Sequence, residues 1–201
     1  MGVLSGSTSF MRFTVEGELP DSFWDFISER VAAHSFQDID DSLDEYSIGW
    51  VSVANMFDAD FAYASYAAGD YVVLSLRIDE RKVSPAVLKK CVLKEEERIK
   101  RERQVPKLSR SAMLEIKERV RTQLVRKSVP VPTVYDLAWS LSAGTLFFFT
   151  TSKKAMVLLE EFFKETFGLS LVLQIPWTIA LHVADPEIQA ELDRLRPEIL
   201  V

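Results

Sequence analysis

The order of apolar and polar positions divides the chain into recognisable segments. "SFMRFTVEG" (9–17) is β-prone and predicts a strand. "LPDSFWDFISERVAAHSF" (19–36) follows, with Pro20 near a helix start and Phe23, Ile27 and Val31 at helical spacing. "DIDDSLDE" (38–45) is a polar, acidic loop. "IGWVSVANMF" (48–57) and "DYVVLSLRID" (70–79) predict strands. At "KVSPAVLKK" the period lengthens: Ser84 is placed to cap a helix and Pro85 to open it. Leu88, Cys91, Val92 and Ile99 then form one stripe, interrupted where Glu95 falls on it. Pro106 breaks this helix, because proline lacks the donor a helix interior needs. Ser109 can cap a second helix with Met113, Ile116, Val120 and Leu124 on one face. The pair predicts an α-hairpin that stops at "VPVPT" (129–133).

Beyond the hairpin, "TLFFFTT" (145–151) predicts a strand, and Ser152 to Gly168 a helix with glycine at its end. "LSLVLQI" (169–175) and "WTIALHV" (177–183) predict two more strands, and Asp185 with Pro186 a short last helix. The expected fold is α+β: mixed sheets with packed helices, a β-α-β unit that recurs near both ends, and a projecting two-helix tip. The expected division is a body of 1–80 and 131–201 with a hairpin insertion at 81–130.

Composition narrows the class. In 201 residues, 48% are hydrophobic and 27% charged, enough to build a core. One cysteine, Cys91, excludes an intrachain disulfide and fits a reducing compartment. The longest apolar candidate, "LSLVLQIPWTIAL", is interrupted by Gln174 and Pro176, so a soluble, cytoplasmic protein with no membrane association is expected. Charge changes the picture most. Between Arg77 and Lys127 stand 17 Lys and Arg against 8 Asp and Glu, a net of +9. The remainder has 7 basic and 22 acidic residues, a net of −15, and the two make the overall −6. Such asymmetry points to a polyanion-facing segment on an acidic body.

Candidate catalytic chemistry is sparse. His34 and His182 stand in apolar settings that suit structural histidines. Cys91 lies on the apolar stripe and is expected to be a buried thiol. Zinc needs several Cys or His ligands close together, and neither phosphate-binding glycine loop occurs. Read as a calcium loop from Asp38, the acidic segment puts Leu43 where Gly is needed and Gly49 where Glu is needed. Asp38, Asp40, Asp41, Asp44 and Glu45 remain the one source of carboxylates for a metal-dependent exonuclease, the less favoured alternative. No catalytic residue, metal or cofactor is expected.

The basic hairpin carries the main candidate site: Lys89, Lys90, Lys94, Arg98, Lys100, Arg101, Arg103, Lys107, Arg110, Lys117 and Arg121, beside Arg119, Arg126 and Lys127. Cationic helices suit sequence-independent contact, because each phosphate neutralised releases counterions and no base is read. The alternatives are a solvated face laced with pairs such as Glu97–Arg101, and a helical device for mating with another protein.

Several motifs in order then resemble the RdgC family of recombination-associated DNA-binding proteins. They are "GWV" (49–51), "KVSPAVLKKCVLKEEERI" (82–99), "SAMLEIKERVRTQL" (111–124), Trp139 followed by "GTLFFFTTSKKAMVLLEEF" (144–162), and "FGLSLVLQIP" (167–176). The resemblance covers roughly 9–178 and implies a short member without the usual C-terminal region. It implies an α+β fold with a helical tip and a ring-shaped homodimer around duplex DNA, bound without sequence preference. It also implies nucleoid association and an indirect restraint on the strand-exchange recombinase. It adds Lys153 and Lys154, at the "S-x-KK" helix start, to the DNA-contacting positions. After the second helix the sequence reads "LVRKSVPVP", without the family's interface aromatic.

Overall fold

The structure is a computed structural model, and it describes residues 2–4, 8–185, 187–189 and 194. The strands are β1 (Met11–Glu16), β2 (Tyr46–Val51), β3 (Ala67–Ala68), β4 (Tyr71–Arg81), β5 (Pro130–Ser140), β6 (Thr145–Phe148) and β7 (Ser170–Leu173). The helices are α1 (Phe23–Ala33), α2 (Pro85–Arg103), α3 (Arg110–Lys127), α4 (Lys153–Phe167) and α5 (Pro176–Val183). All seven strands join one sheet in the order β2-β4-β5-β6-β1-β7, with β3 paired to β4. The fold is α+β, and the expected mixed sheets resolve into this single one. The chain divides into two compact units, Met1–Ser35 with Trp50–Leu76 and Tyr135–Val201, and Phe36–Gly49 with Arg77–Val134.

In the first unit β1 pairs antiparallel with both β6 and β7. Two strands antiparallel to the same neighbour run parallel to each other, so α4 is the crossover of a split β-α-β unit. Its sequence suits that task. Ser152 Oγ accepts from Ala155 N at 3.3 Å, and Gly168 ends the helix at a φ of 70°, which a side chain would strain. Ala155, Leu159, Phe162, Phe163, Thr166 and Phe167 recur at helical spacing and are buried. The two β-α-β runs read in the sequence are not equivalent: β6 and β7 flank β1, whereas β2 lies at the opposite edge of the sheet.

The core of this unit is aromatic. Trp139 is buried against Phe163 and Phe23, with ring centroids at 5.4 and 5.6 Å. Trp50 is buried against Phe162 at 5.1 Å, and its indole N–H donates to Thr166 Oγ1 at 3.1 Å. The Thr166 hydroxyl donates in turn to Phe162 O at 2.8 Å. A buried indole is costly without a partner, so this relay lets Trp50 lie inside.

Three segments differ from the sequence expectation. "WTIALHV" is the helix α5, not a strand. Pro176 stands in its first turn, and Thr178 Oγ1 accepts from Ile175 N at 2.9 Å, so local capping overrides a short, ambiguous apolar run. β2 stops at Val51 instead of running on to Phe57, because the chain turns and Ser52 N donates to Asp58 O at 2.8 Å. β5 was not expected at all, since Pro130 and Pro132 read as punctuation; they stand at its beginning, where a missing donor is tolerated. The last expected helix begins at Pro186, which lies outside the described residues, as does the side chain of His182.

Truncating one fully buried ring tests this core. Phe163→Ala is expected to cost about 3–5 kcal/mol in a denaturant melt, because Trp139 and Phe167 lose their shared neighbour.

Candidate nucleic-acid interface

The second unit contains the predicted α-hairpin, and its two helices start and stop for local reasons. Pro85 opens α2, and Gln104 closes it in the left-handed region at a φ of 52°. Ser109 Oγ accepts from Ala112 N at 3.2 Å and caps α3. Between the helices lies a thin seam. Ile99, Ile116 and Val120 are buried, with Leu88, Cys91, Val92, Leu108 and Leu124 packed against them. The Cys91 thiol is thus half-buried within the seam, not fully enclosed.

The cations divide into two sets. Arg98 is held in a lattice of carboxylates: its Nε and one terminal nitrogen donate to Glu95 at 2.8 and 2.6 Å, and the other donates to Glu102 at 2.6 Å. From the opposite helix Arg119 donates to Glu95 at 2.6 Å. Lys100 pairs with Glu97 at 3.3 Å, so Glu97 engages Lys100 and not Arg101 as the spacing suggested. The hydrogen bonds from Arg98, then the charges of Arg98 and Arg119, hold the Glu95 carboxyl below the usual range; Glu95 in turn raises Arg98. The second set is exposed and has no ion-pair partner among the described residues: Lys89, Lys90, Lys94, Arg101, Arg103, Lys107, Arg110, Lys117 and Arg121. Arg126 and Lys127 in the last turn of α3 are exposed in the same way, and their charge suits the negative end of the helix. Lys153 and Lys154 are exposed in the first turn of α4, which belongs to the first unit.

Two cations counted in the basic segment have structural work. Arg77 and Asp79 are buried and joined by two hydrogen bonds at 2.8 and 2.7 Å, and the Arg77 guanidinium lies 4.1 Å over the Phe36 ring. Arg81 gathers backbone carbonyls. It donates to Ile39 O at 2.7 Å, Asp44 O at 2.9 Å, Ser42 O at 3.1 Å, Asp40 O at 3.2 Å and also Ser128 O. One guanidinium therefore ties the acidic loop to the residue that follows α3. Sequence reasoning missed this role, because nothing in the spacing shows that Arg81 would meet carbonyls forty residues away.

The acidic loop is arranged by its own backbone. Asp38 accepts from Asp40 N at 2.7 Å and Asp44 from the Ser42 hydroxyl at 2.8 Å, while Asp38, Asp40, Asp41, Asp44 and Glu45 stay exposed. Among the described residues no group of three or more His, Cys, Asp or Glu could hold one metal ion. His34 donates through Nδ1 to Arg30 O at 3.0 Å and meets Phe162 edge-on, which is a structural placement. No helix among the described residues is long and apolar enough to cross a membrane.

The arrangement defines a class: an α+β chain with a basic, exposed two-helix hairpin suited to polyanions. The family model described as "Putative exonuclease, RdgC" matches residues 11–181, and the chain belongs to the RdgC family. A comparison with curated proteins finds no match.

Glu95 and Arg81 each generate a test. A carboxyl lowered from 4.5 in the folded state adds stability that is complete above 4.5 and is lost as pH falls through its lower folded value. Glu95→Gln is therefore expected to weaken amide-exchange protection of α2 and α3 at neutral pH and to change little in strong acid. Arg81→Ala is expected to make the peptide bonds of 38–45 cleavable in limited proteolysis under conditions where the parent loop resists.

Proposed function

We propose that this protein binds duplex DNA through its phosphates, without sequence preference, using the exposed hairpin cations. The observation that carries the reading is the set of nine predicted contact residues with no carboxylate partner among the described residues, while Arg98 and Lys100 are occupied in holding the hairpin together. Membership of the RdgC family supports a role in DNA recombination and replication. In this reading the protein acts as a dimer, which doubles the phosphate contacts, and it is cytoplasmic and nucleoid-associated. It restrains the strand-exchange recombinase indirectly, by occupying shared DNA. Lys153 and Lys154 add contacts from the start of α4. The role needs no catalysis and no cofactor.

Phosphate contacts make affinity fall with salt. If about six are engaged, affinity is expected to drop about 10³-fold between 50 and 200 mM salt, about equally for unrelated duplexes. Lys94→Glu with Arg101→Glu and Arg103→Glu is expected to flatten the salt slope by about 3 without loss of helicity. Absence of binding at low salt, or strong preference for one sequence, sinks the reading. Magnesium- or manganese-dependent cleavage of labelled DNA that Asp40→Asn abolishes would establish the exonuclease alternative instead.

A further inference from the structure

The hairpin has a second flank where exposed apolar side chains stand beside cations. Lys94, Glu95, Arg98 and Glu102 follow one side of α2, whereas Leu88, Lys89, Val92, Leu93 and Glu96 follow the other, each set at helical spacing. A groove of about 340 Å³ on this second side is lined by Leu88, Val92, Leu93 and Lys117 among others. A groove of about 550 Å³ is lined by Val92, Met113, Leu114, Lys117 and Arg110. The two share Val92, Glu96 and Lys117, so they adjoin. Leu93 is 52%, Leu114 61% and Met113 44% exposed. A contiguous apolar patch with a polar rim marks an interaction surface.

The rim selects the occupant. Lys89, Lys117 and Arg110 face a single lining carboxylate, Glu96, so the groove favours an anionic partner. A nucleic-acid backbone supplies charge but nothing to fill a cleft of Leu, Val and Met. A second copy would bring the same excess of cations against this one. A bilayer surface is flat and offers no projecting side chain to a concave groove. The twelve residues from Pro85 to Glu96 span about 17 Å, three turns of helix. We infer that this flank docks an acidic amphipathic helix of a protein partner, with apolar side chains at i, i+4 and i+7 in the groove and carboxylates on Lys89, Lys117 and Arg110.

The test uses two synthetic helical peptides with the same leucine spacing, one otherwise rich in Glu and one in Lys, titrated by fluorescence anisotropy into the full chain. The Glu peptide is expected to bind at least about tenfold tighter than the Lys peptide. Leu93→Ser with Leu114→Ser is expected to remove that binding while duplex affinity and self-association stay as in the parent. Lys117→Glu, which leaves two lining cations against two carboxylates, is expected to remove most of the preference between the peptides. The inference is overturned if neither peptide binds, if both bind equally, or if the Leu variants change self-association or duplex affinity. It is also overturned if anionic vesicles compete as well as the Glu peptide does. Peptide binding is read without DNA, so it stands or falls apart from the duplex reading.

Discussion

Repulsion among like charges is the constraint that shapes this protein. The hairpin places fourteen cations and six carboxylates between Pro85 and Lys127 and closes over a seam with only three buried residues, Ile99, Ile116 and Val120. A seam that thin offsets little repulsion by apolar burial alone. Glu95 relieves it at the centre by binding Arg98 on its own helix and Arg119 on the other. Its intrusion into the apolar stripe of α2 is therefore a cross-helix brace. Exposed ion pairs contribute little singly, but one carboxylate shared by two arginines offsets repulsion between the two helices.

Around that brace the remaining cations sort by task. Arg98, Arg119 and Lys100 satisfy local carboxylates, and Arg81 holds backbone carbonyls at the start of the hairpin. Arg77 is buried with Asp79, where breaking the pair would leave a charge without solvent. What is left over is exposed and has no ion-pair partner among the described residues. The same helices also carry exposed apolar side chains, Leu93, Met113 and Leu114, beside Lys89, Arg110 and Lys117.

The first unit depends on a different device, aromatic rings enclosed between the sheet and two helices. Trp50 and Trp139 are both buried there, and the hydroxyl of Thr166 supplies the acceptor that the Trp50 indole needs. Phe163 and Phe167 lie one turn apart on α4 and reach Trp139 together. β1, held between β6 and β7, keeps α4 over this cluster.

Much of this was legible in the sequence. The period change at Ser84, the break at Pro106, the Ser109 and Ser152 caps and the terminal Gly168 mark helix boundaries by local chemistry, and the +9 segment marks where basic residues gather. The motifs that resemble RdgC also identified the family that the match over 11–181 establishes. What was not legible depends on neighbours distant in sequence. β5 is a strand because β4 and β6 take its hydrogen bonds on both sides, and its leading prolines say nothing of that. The α5 segment alternates like a strand, but Pro176 and Thr178 cap it as a helix. Arg81 looks like one more basic residue until the fold brings four loop carbonyls and Ser128 to its guanidinium. Residue type and spacing thus determined where helices begin, where they stop and where charge gathers, since these are properties of near neighbours. Only the tertiary structure decided which cations are spent on carboxylates and carbonyls and which remain exposed, because that depends on which groups the packed chain brings within hydrogen-bonding distance.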